Sequence, residues 1–233
     1  MDVKNLWFYS IFVITFGVAL AFLYFYGYYM SFVILNYHRY SLADFYFSKI
    51  THLGDGITFT AIFYLMYGKN DIPKTLSLII CLIFSSFIVH LLKNFVFDDW
   101  FRPLVVFGNQ IVNHIKGYEA YGKSFPSGHS TAIFTTLFCI VQWKNWNKIF
   151  QILWIFIGLS VGYSRIYLGV HFLGDVLMGI FIALVTSHLL FNFFSNRLFF
   201  LKDNLSLKKL MMIISVLSLV VLFLLRVIFQ LNF

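Results

Sequence analysis

Seven stretches of this chain are almost wholly apolar and approach the ~20 residues an α-helix needs to cross a bilayer. They run from Leu6 to Tyr29, Leu53 to Gly68, Thr75 to Phe97, Gly128 to Trp143, Ile149 to Leu168, His171 to Phe194 and Lys209 to Ile228, the second and fourth being the shortest. A chain that is 61% hydrophobic and 11% charged cannot present an ordinary soluble surface, on which roughly a quarter of residues are charged. The expectation is an all-α, polytopic transmembrane bundle, a single integral membrane domain over residues 1–233 with no internal repeat, low-complexity segment or linker.

The first stretch has some features of a secretory signal, since Lys4 precedes an apolar run and Ala19-Leu20-Ala21 looks like a cleavage site. The run continues through Phe22 to Tyr29, long enough to span, so an uncleaved anchor is expected. Cys81 and Cys139 fall inside apolar stretches without metal-ligand or redox spacing and read as small hydrophobes. With the amino terminus inside, the inner segments carry nine basic and three acidic residues, against eight basic and six acidic on the other face. Lys93, Arg102 and Arg165 have a separate use there, and without them the basic count is nine against five. The positive-inside rule then predicts a multi-pass inner-membrane protein whose second face looks toward the periplasm or exterior.

That second face gathers the chemistry. Lys93 lies near the end of the third stretch, Pro126-Ser127-Gly128-His129 opens the fourth, Ser164-Arg165 lies near the end of the fifth and His171 opens the sixth. In an alternating serpentine all four ends meet at one membrane boundary. His171 and Asp175 are four residues apart, so on a helix the carboxylate can accept a hydrogen bond from one ring nitrogen and fix the tautomer. The other nitrogen is then an unprotonated nucleophile able to attack phosphorus. An intramembrane Asp175 without such a partner would be costly. His129 is the candidate general acid, and then base.

Phosphate has its own donors. Gly128 and His129 open a helix after a proline turn, which points unsatisfied N–H groups and the positive end of the helix dipole at an anion. Ser127 adds a hydroxyl, Arg102 and Arg165 a forked geometry, and Lys93 a compact charge. No metal or other cofactor is expected, because neither clustered carboxylates nor a closed zinc ligand set accompanies these residues.

Together, Lys93, Arg102-Pro103, Pro126-Ser127-Gly128-His129, Ser164-Arg165, His171 and Asp175 resemble the three-part signature of the type 2 phosphatidic acid phosphatase superfamily, which also includes vanadium haloperoxidases and glucose 6-phosphatase. The second and third parts match fully, with five residues between Arg165 and His171 and three between His171 and Asp175. The first part departs, because the family usually places six residues between its lysine and Arg-Pro whereas Lys93 and Arg102 enclose eight. Either two residues are inserted within Phe97 to Phe101, or Lys93 is not the phosphate lysine. The resemblance covers roughly residues 53 to 190 and implies a six-helix core, His171 as nucleophile, His129 as acid and base, and no metal; the last stretch lies outside it.

Other residues carry less. Asp55 reads as the cap of the second helix, and His90 as a satisfied core residue one turn before Lys93. His38, His52, His114 and His188 have no spaced partners. Gly158 and Gly162 form a small-xxx-small pair expected to pack inside the monomer. The polar connection from Asp98 to Phe125 is expected to be a lid that selects the headgroup; Lys116 and Lys123 read first as solvated surface lysines, with contact to a second phosphate as the alternative.

Three functions fit. The first is a lipid phosphatase acting on a phosphomonoester or pyrophosphate such as undecaprenyl pyrophosphate, phosphatidylglycerol phosphate, phosphatidic acid or lipid A. The second is a phosphotransferase using the same phosphohistidine, and the third a non-catalytic membrane protein. The expected partner is a phosphorylated membrane lipid, with no nucleic acid.

Overall fold

The computed structural model describes residues 5–231, with side chains to residue 225; Asp2 and Lys4 of the charge count lie outside the described residues, as do the side chains of the last expected stretch beyond residue 225. Nine α-helices follow one another among them: α1 Leu6–Asn36, α2 Ser41–Ile50, α3 Ile57–Met66, α4 Ile72–Leu91, α5 Pro103–Phe107, α6 Gly128–Trp143, α7 Lys148–Tyr167, α8 Leu173–Arg197 and α9 Leu205–Leu231. Five helical segments are long and apolar enough to cross a membrane, namely Leu6–Asn36, Ile72–Val96, Lys148–Tyr167, Leu173–Arg197 and Leu205–Leu225.

Capping explains where several helices begin. Asp71 Oδ1 accepts from Lys74 N at 3.3 Å ahead of α4, and Asn147 Oδ1 from Phe150 N at 3.0 Å ahead of α7. Such side chains satisfy donors that the first turn leaves orphaned. Ser127 does the same for α6, which is the axis of the bundle: every residue from Ser130 to Val141 is buried. Helices α4, α7 and α8 pack around it, and α1 lies against α7 and α8. Phe134, Leu137 and Phe138 fill the centre, each fully excluded from solvent.

Several expectations need correction. The second stretch is not one helix from Leu53. Residues Thr51–Asp55 form a 3-10 turn, Gly56 breaks the chain at φ 77°, and α3 starts at Ile57. With 10 residues, α3 is only about 15 Å long, too short to span by itself. Asp55 nevertheless caps it, its carboxylate taking the Thr58 N–H at 2.6 Å. The first stretch continues to Asn36, and α2, with Asp44 in its first turn and Lys49 in its last, forms a helix that hydropathy did not reveal. The sixth helix starts at Leu173 and leaves His171 in the connection before it. His90 is exposed and bonded to Asn94, so it is not a core residue. Gly158 and Gly162 are buried against Leu137, Phe134 and Val176 of the same chain.

Candidate active site

The three sequence segments that carry the chemistry are tied together through their backbones. Residues beside Arg102 pair with those beside Lys123: Arg102 N donates to Gly122 O at 3.0 Å and Ser124 N to Trp100 O at 2.6 Å. Ser127 N in turn donates to Asp175 O at 3.0 Å, joining the start of α6 to the first turn of α8. Val170 N and His171 N both donate to Arg165 O at 3.1 Å, which closes the chain between α7 and α8. Groups spread over more than eighty positions thus meet at one end of the bundle.

His171 and Asp175 are both buried, with exposures of 2% and 0%. His171 Nδ1 lies 3.1 Å from Asp175 Oδ2. Asp175 is the third residue of α8, and the Phe172 N–H ahead of the helix donates to the same Oδ2 at 3.0 Å. The hydroxyl of Ser124 donates to Oδ2 as well, and that of Tyr28 donates to Oδ1. Four donors on one carboxylate satisfy it without a cation in direct contact. Burial, followed by the charges of Arg102, Arg165 and Lys93, holds the His171 imidazole well below its usual pKa range. The ring is therefore neutral, with its proton on Nδ1 toward Asp175 and a free lone pair on Nε2.

The cations are arranged around this pair. Arg165 is 7% exposed, its Nη1 donates to Thr51 Oγ1, and its Nε has no hydrogen-bond partner among the described residues. Arg102 donates from Nε to Lys123 O and from Nη1 to Val170 O, each at 3.2 Å, which aims the guanidinium at the turn holding His171. Lys93 sits within electrostatic reach of Arg102, Asp175 and Arg165. It does so from a π turn, Leu92–Val96, in which Phe97 N donates to Leu92 O at 2.8 Å. A π turn takes up an extra residue within a helix. The π turn begins the long spacing between Lys93 and Arg102, just upstream of the Phe97 to Phe101 segment.

His129 is half-buried in the first turn of α6, within electrostatic reach of Arg165, His171, His52 and Arg102. Its side chain lies against Gly54, where a Cβ would come within 3.0 Å of His129 Cβ. Gly128 and His129 supply the first orphan N–H groups of α6. Ser127 Oγ accepts from Ser130 N at 3.4 Å and from Ser130 Oγ at 3.0 Å, so its lone pairs cap the helix while its own proton remains to be donated.

The segment from Asp98 to Phe125 is strapped down. Asn113 N donates to Asn36 Oδ1 at 2.8 Å and Asn36 Nδ2 returns a bond to Asn113 O at 3.0 Å, while the Tyr118 hydroxyl donates to Ser48 O at 2.7 Å. Lys123 Nζ lies 3.4 Å from Asn94 Oδ1. Sequence reasoning missed Tyr28, Ser124 and Thr51. Ser124 stands only two residues before Pro126, beside the signature run, whereas nothing local marks Tyr28 or Thr51. Among the described residues, no three His, Cys, Asp or Glu side chains gather as a metal-ligating group.

Residues 74–199 match the PAP2 superfamily. The chain is 28% identical over 172 residues, 69% of its own length and 70% of the relative's, to the Lipid A 4'-phosphatase of Porphyromonas gingivalis. It is 37% identical over 78 residues to the Lipid A 4'-phosphatase of Bacteroides thetaiotaomicron, a region covering 31% of this chain and 32% of that one. The crystal structure of Aquifex aeolicus LpxE superposes with a TM-score of 0.59 at 27% identity, over 68% of this chain and 90% of that one. The transmembrane PAP2 type phosphatidylglycerolphosphate phosphatase from Bacillus subtilis shares the fold with a TM-score of 0.54 at 23% identity, over 83% of this chain and 96% of that one.

Proposed function

The chain belongs to the PAP2 superfamily and is a multi-pass membrane phosphatase, and on that premise we propose that it removes a phosphate monoester from lipid A or a similar phosphorylated saccharolipid through a phosphohistidine on His171. The observation that carries the reading is a neutral, carboxylate-held His171 beside a buried Arg165 whose Nε has no partner among the described residues. A buried guanidinium left partly unbonded is unfavourable unless an anion completes it. Two relatives named for lipid A 4'-phosphatase activity support that lipid over phosphatidic acid, phosphatidylglycerol phosphate and undecaprenyl pyrophosphate.

The chemistry follows from the placement of the groups. With Nδ1–H held by Asp175, the Nε2 lone pair attacks phosphorus and the ester P–O bond breaks. Burial and the neighbouring Arg165, His171, His52 and Arg102 push the pKa of His129 down to about 2 before phosphate arrives, so it takes up its proton as the anionic phosphate offsets the nearby cations and then gives it to the departing oxygen. Charge gathering on the equatorial oxygens is met by Arg102, Arg165, Lys93 and the N–H groups that open α6. Neutral His129 then takes a proton from water as its oxygen attacks phosphorus, the P–Nε2 bond breaks, and inorganic phosphate leaves with His171 restored. The basic bias of the opposite face supports placing this end at the outer side of an inner membrane.

Purified protein in detergent with EDTA, assayed for phosphate release across these four lipids with His171→Ala as the blank, tests the proposal. Release chiefly from lipid A by the native enzyme is expected. A preference for a glycerophospholipid or polyprenyl pyrophosphate overturns the substrate assignment, and release by His171→Ala at the native rate overturns the nucleophile.

A further inference from the structure

Asp175 has two carboxylate oxygens, and they are engaged unequally. Oδ2 accepts from His171 Nδ1, Ser124 Oγ and Phe172 N. Oδ1 accepts from the Tyr28 hydroxyl, the partner it has among the described residues. The three groups on Oδ2 come from the segments that bear the signature residues. Tyr28 comes from α1, 147 positions away and outside residues 74–199.

The local structure is built to deliver that hydroxyl. Helix α1 is interrupted at Gly27, with φ 72° and ψ 175°, a conformation open almost only to glycine. The interruption redirects the helix immediately before Tyr28. The Tyr28 ring then lies on Phe172, with centroids 4.7 Å apart, and on the bare backbone of Gly174, where a Cβ would stand 2.7 Å from Tyr28 Cε2. Any side chain at position 174 would lift the ring off the first turn of α8. The other side of Tyr28 lines a cavity of about 470 Å³ with Tyr29, Asp99, Trp100, Phe101 and Val106. The ring is thus the partition between that cavity and the buried carboxylate.

We propose that Tyr28 is a positioning residue for phosphoryl transfer: by donating to Asp175 Oδ1 it fixes the rotation of the carboxylate, so that Oδ2 stays aligned on His171 Nδ1 and the Nε2 lone pair stays aimed at phosphorus. The inference rests on the reading of His171 as nucleophile and Asp175 as its orienting group. Rotation about the broad terminal torsion of Asp175 carries both oxygens together. The three donors on Oδ2 resist it on one side, and the donor from α1 resists it on the other.

Tyr28→Phe tests this, because it keeps the ring on Phe172 and Gly174 and removes only the hydroxyl. On the lipid that the native enzyme turns over, kcat is expected to fall about 10- to 100-fold, the range for losing a hydrogen bond to a charged group, with KM little changed. Thermal unfolding should stay near native, whereas Tyr28→Ala, which opens the cavity onto Asp175, should lose more activity. In an Asp175→Asn background the same Tyr28→Phe change should lower residual kcat much less, since the charge it acts through is gone. Native kcat in Tyr28→Phe, or an equal fold loss in both backgrounds, overturns the proposal. An active His171→Ala enzyme would instead overturn the reading beneath it, so the two failures are separable.

Discussion

Arg165 shows how function and stability part company at a single residue. The residue is 7% exposed, with a neutral Thr51 hydroxyl on Nη1 and nothing on Nε among the described residues. Burying a charge so incompletely satisfied destabilises the fold, and its return is a forked donor ready for phosphate. Arg165→Met should therefore leave the thermal midpoint in detergent unchanged or raised, while kcat/KM falls about 100-fold or more, the usual loss for one well-placed donor to a transition-state oxygen. A Met variant that unfolds several degrees lower would mean that Arg165 is structural. Residues of this kind were legible in sequence because Arg165, His171 and Asp175 lie within one short segment, where spacing alone brings them together. Tyr28 was not legible, since its contact with Asp175 depends on how α1 packs, and that packing leaves no periodic trace around position 28.

At the scale of the helix, a pair of glycines separates close packing from ordinary contact. A Cβ at Gly158 would stand 2.6 Å from Leu137 Cδ1 and 3.1 Å from Phe134 Cζ, both on fully buried side chains with no free volume to retreat into. At Gly162 the nearest atom, Val176 Cγ1, is 3.4 Å away. Gly158→Ala should therefore destabilise the protein by about 1–3 kcal/mol through overpacking between α6 and α7, with Gly162→Ala close to native in the same thermal unfolding measurement. Equal effects would show that the α6–α7 spacing is softer than its distances indicate. The sequence marked these glycines correctly as an internal packing pair, but it misjudged the second stretch. The stretch starts at Leu53 although Gly54-Asp55-Gly56 interrupts its apolar run, and it is there that the chain breaks, with the helix starting only at Ile57. The π turn at Lys93, by contrast, leaves no mark in composition.

For the molecule as a whole, the two ends of the bundle use their cations differently. At the end away from the site, Lys144 lies 4.0 Å from the Trp146 ring centroid, Lys148 4.0 Å from Trp7, Lys74 5.8 Å from Trp143, Arg197 5.3 Å from Phe193 and Lys202 5.3 Å from Phe199. Long basic side chains laid on aromatic rings suit a membrane–water interface, where the ring and stem are apolar and the head stays wet. At the site end Arg39 also lies 4.9 Å from the Tyr167 ring centroid, while Lys93, Arg102 and Arg165 gather around His171 and Asp175. We propose, from the excess of Lys and Arg left once the site cations are set aside, that the end away from the site is cytoplasmic. Cysteine labelling on intact cells tests it directly: Lys69 and Lys116 are exposed at opposite ends, while Cys81 and Cys139 are buried and should stay silent. Lys116→Cys should react with a membrane-impermeant maleimide and Lys69→Cys only after the membrane is opened. The reverse pattern would put the site in the cytoplasm, where the reachable lipid phosphates belong to the inner leaflet and the choice of substrate would have to change with it.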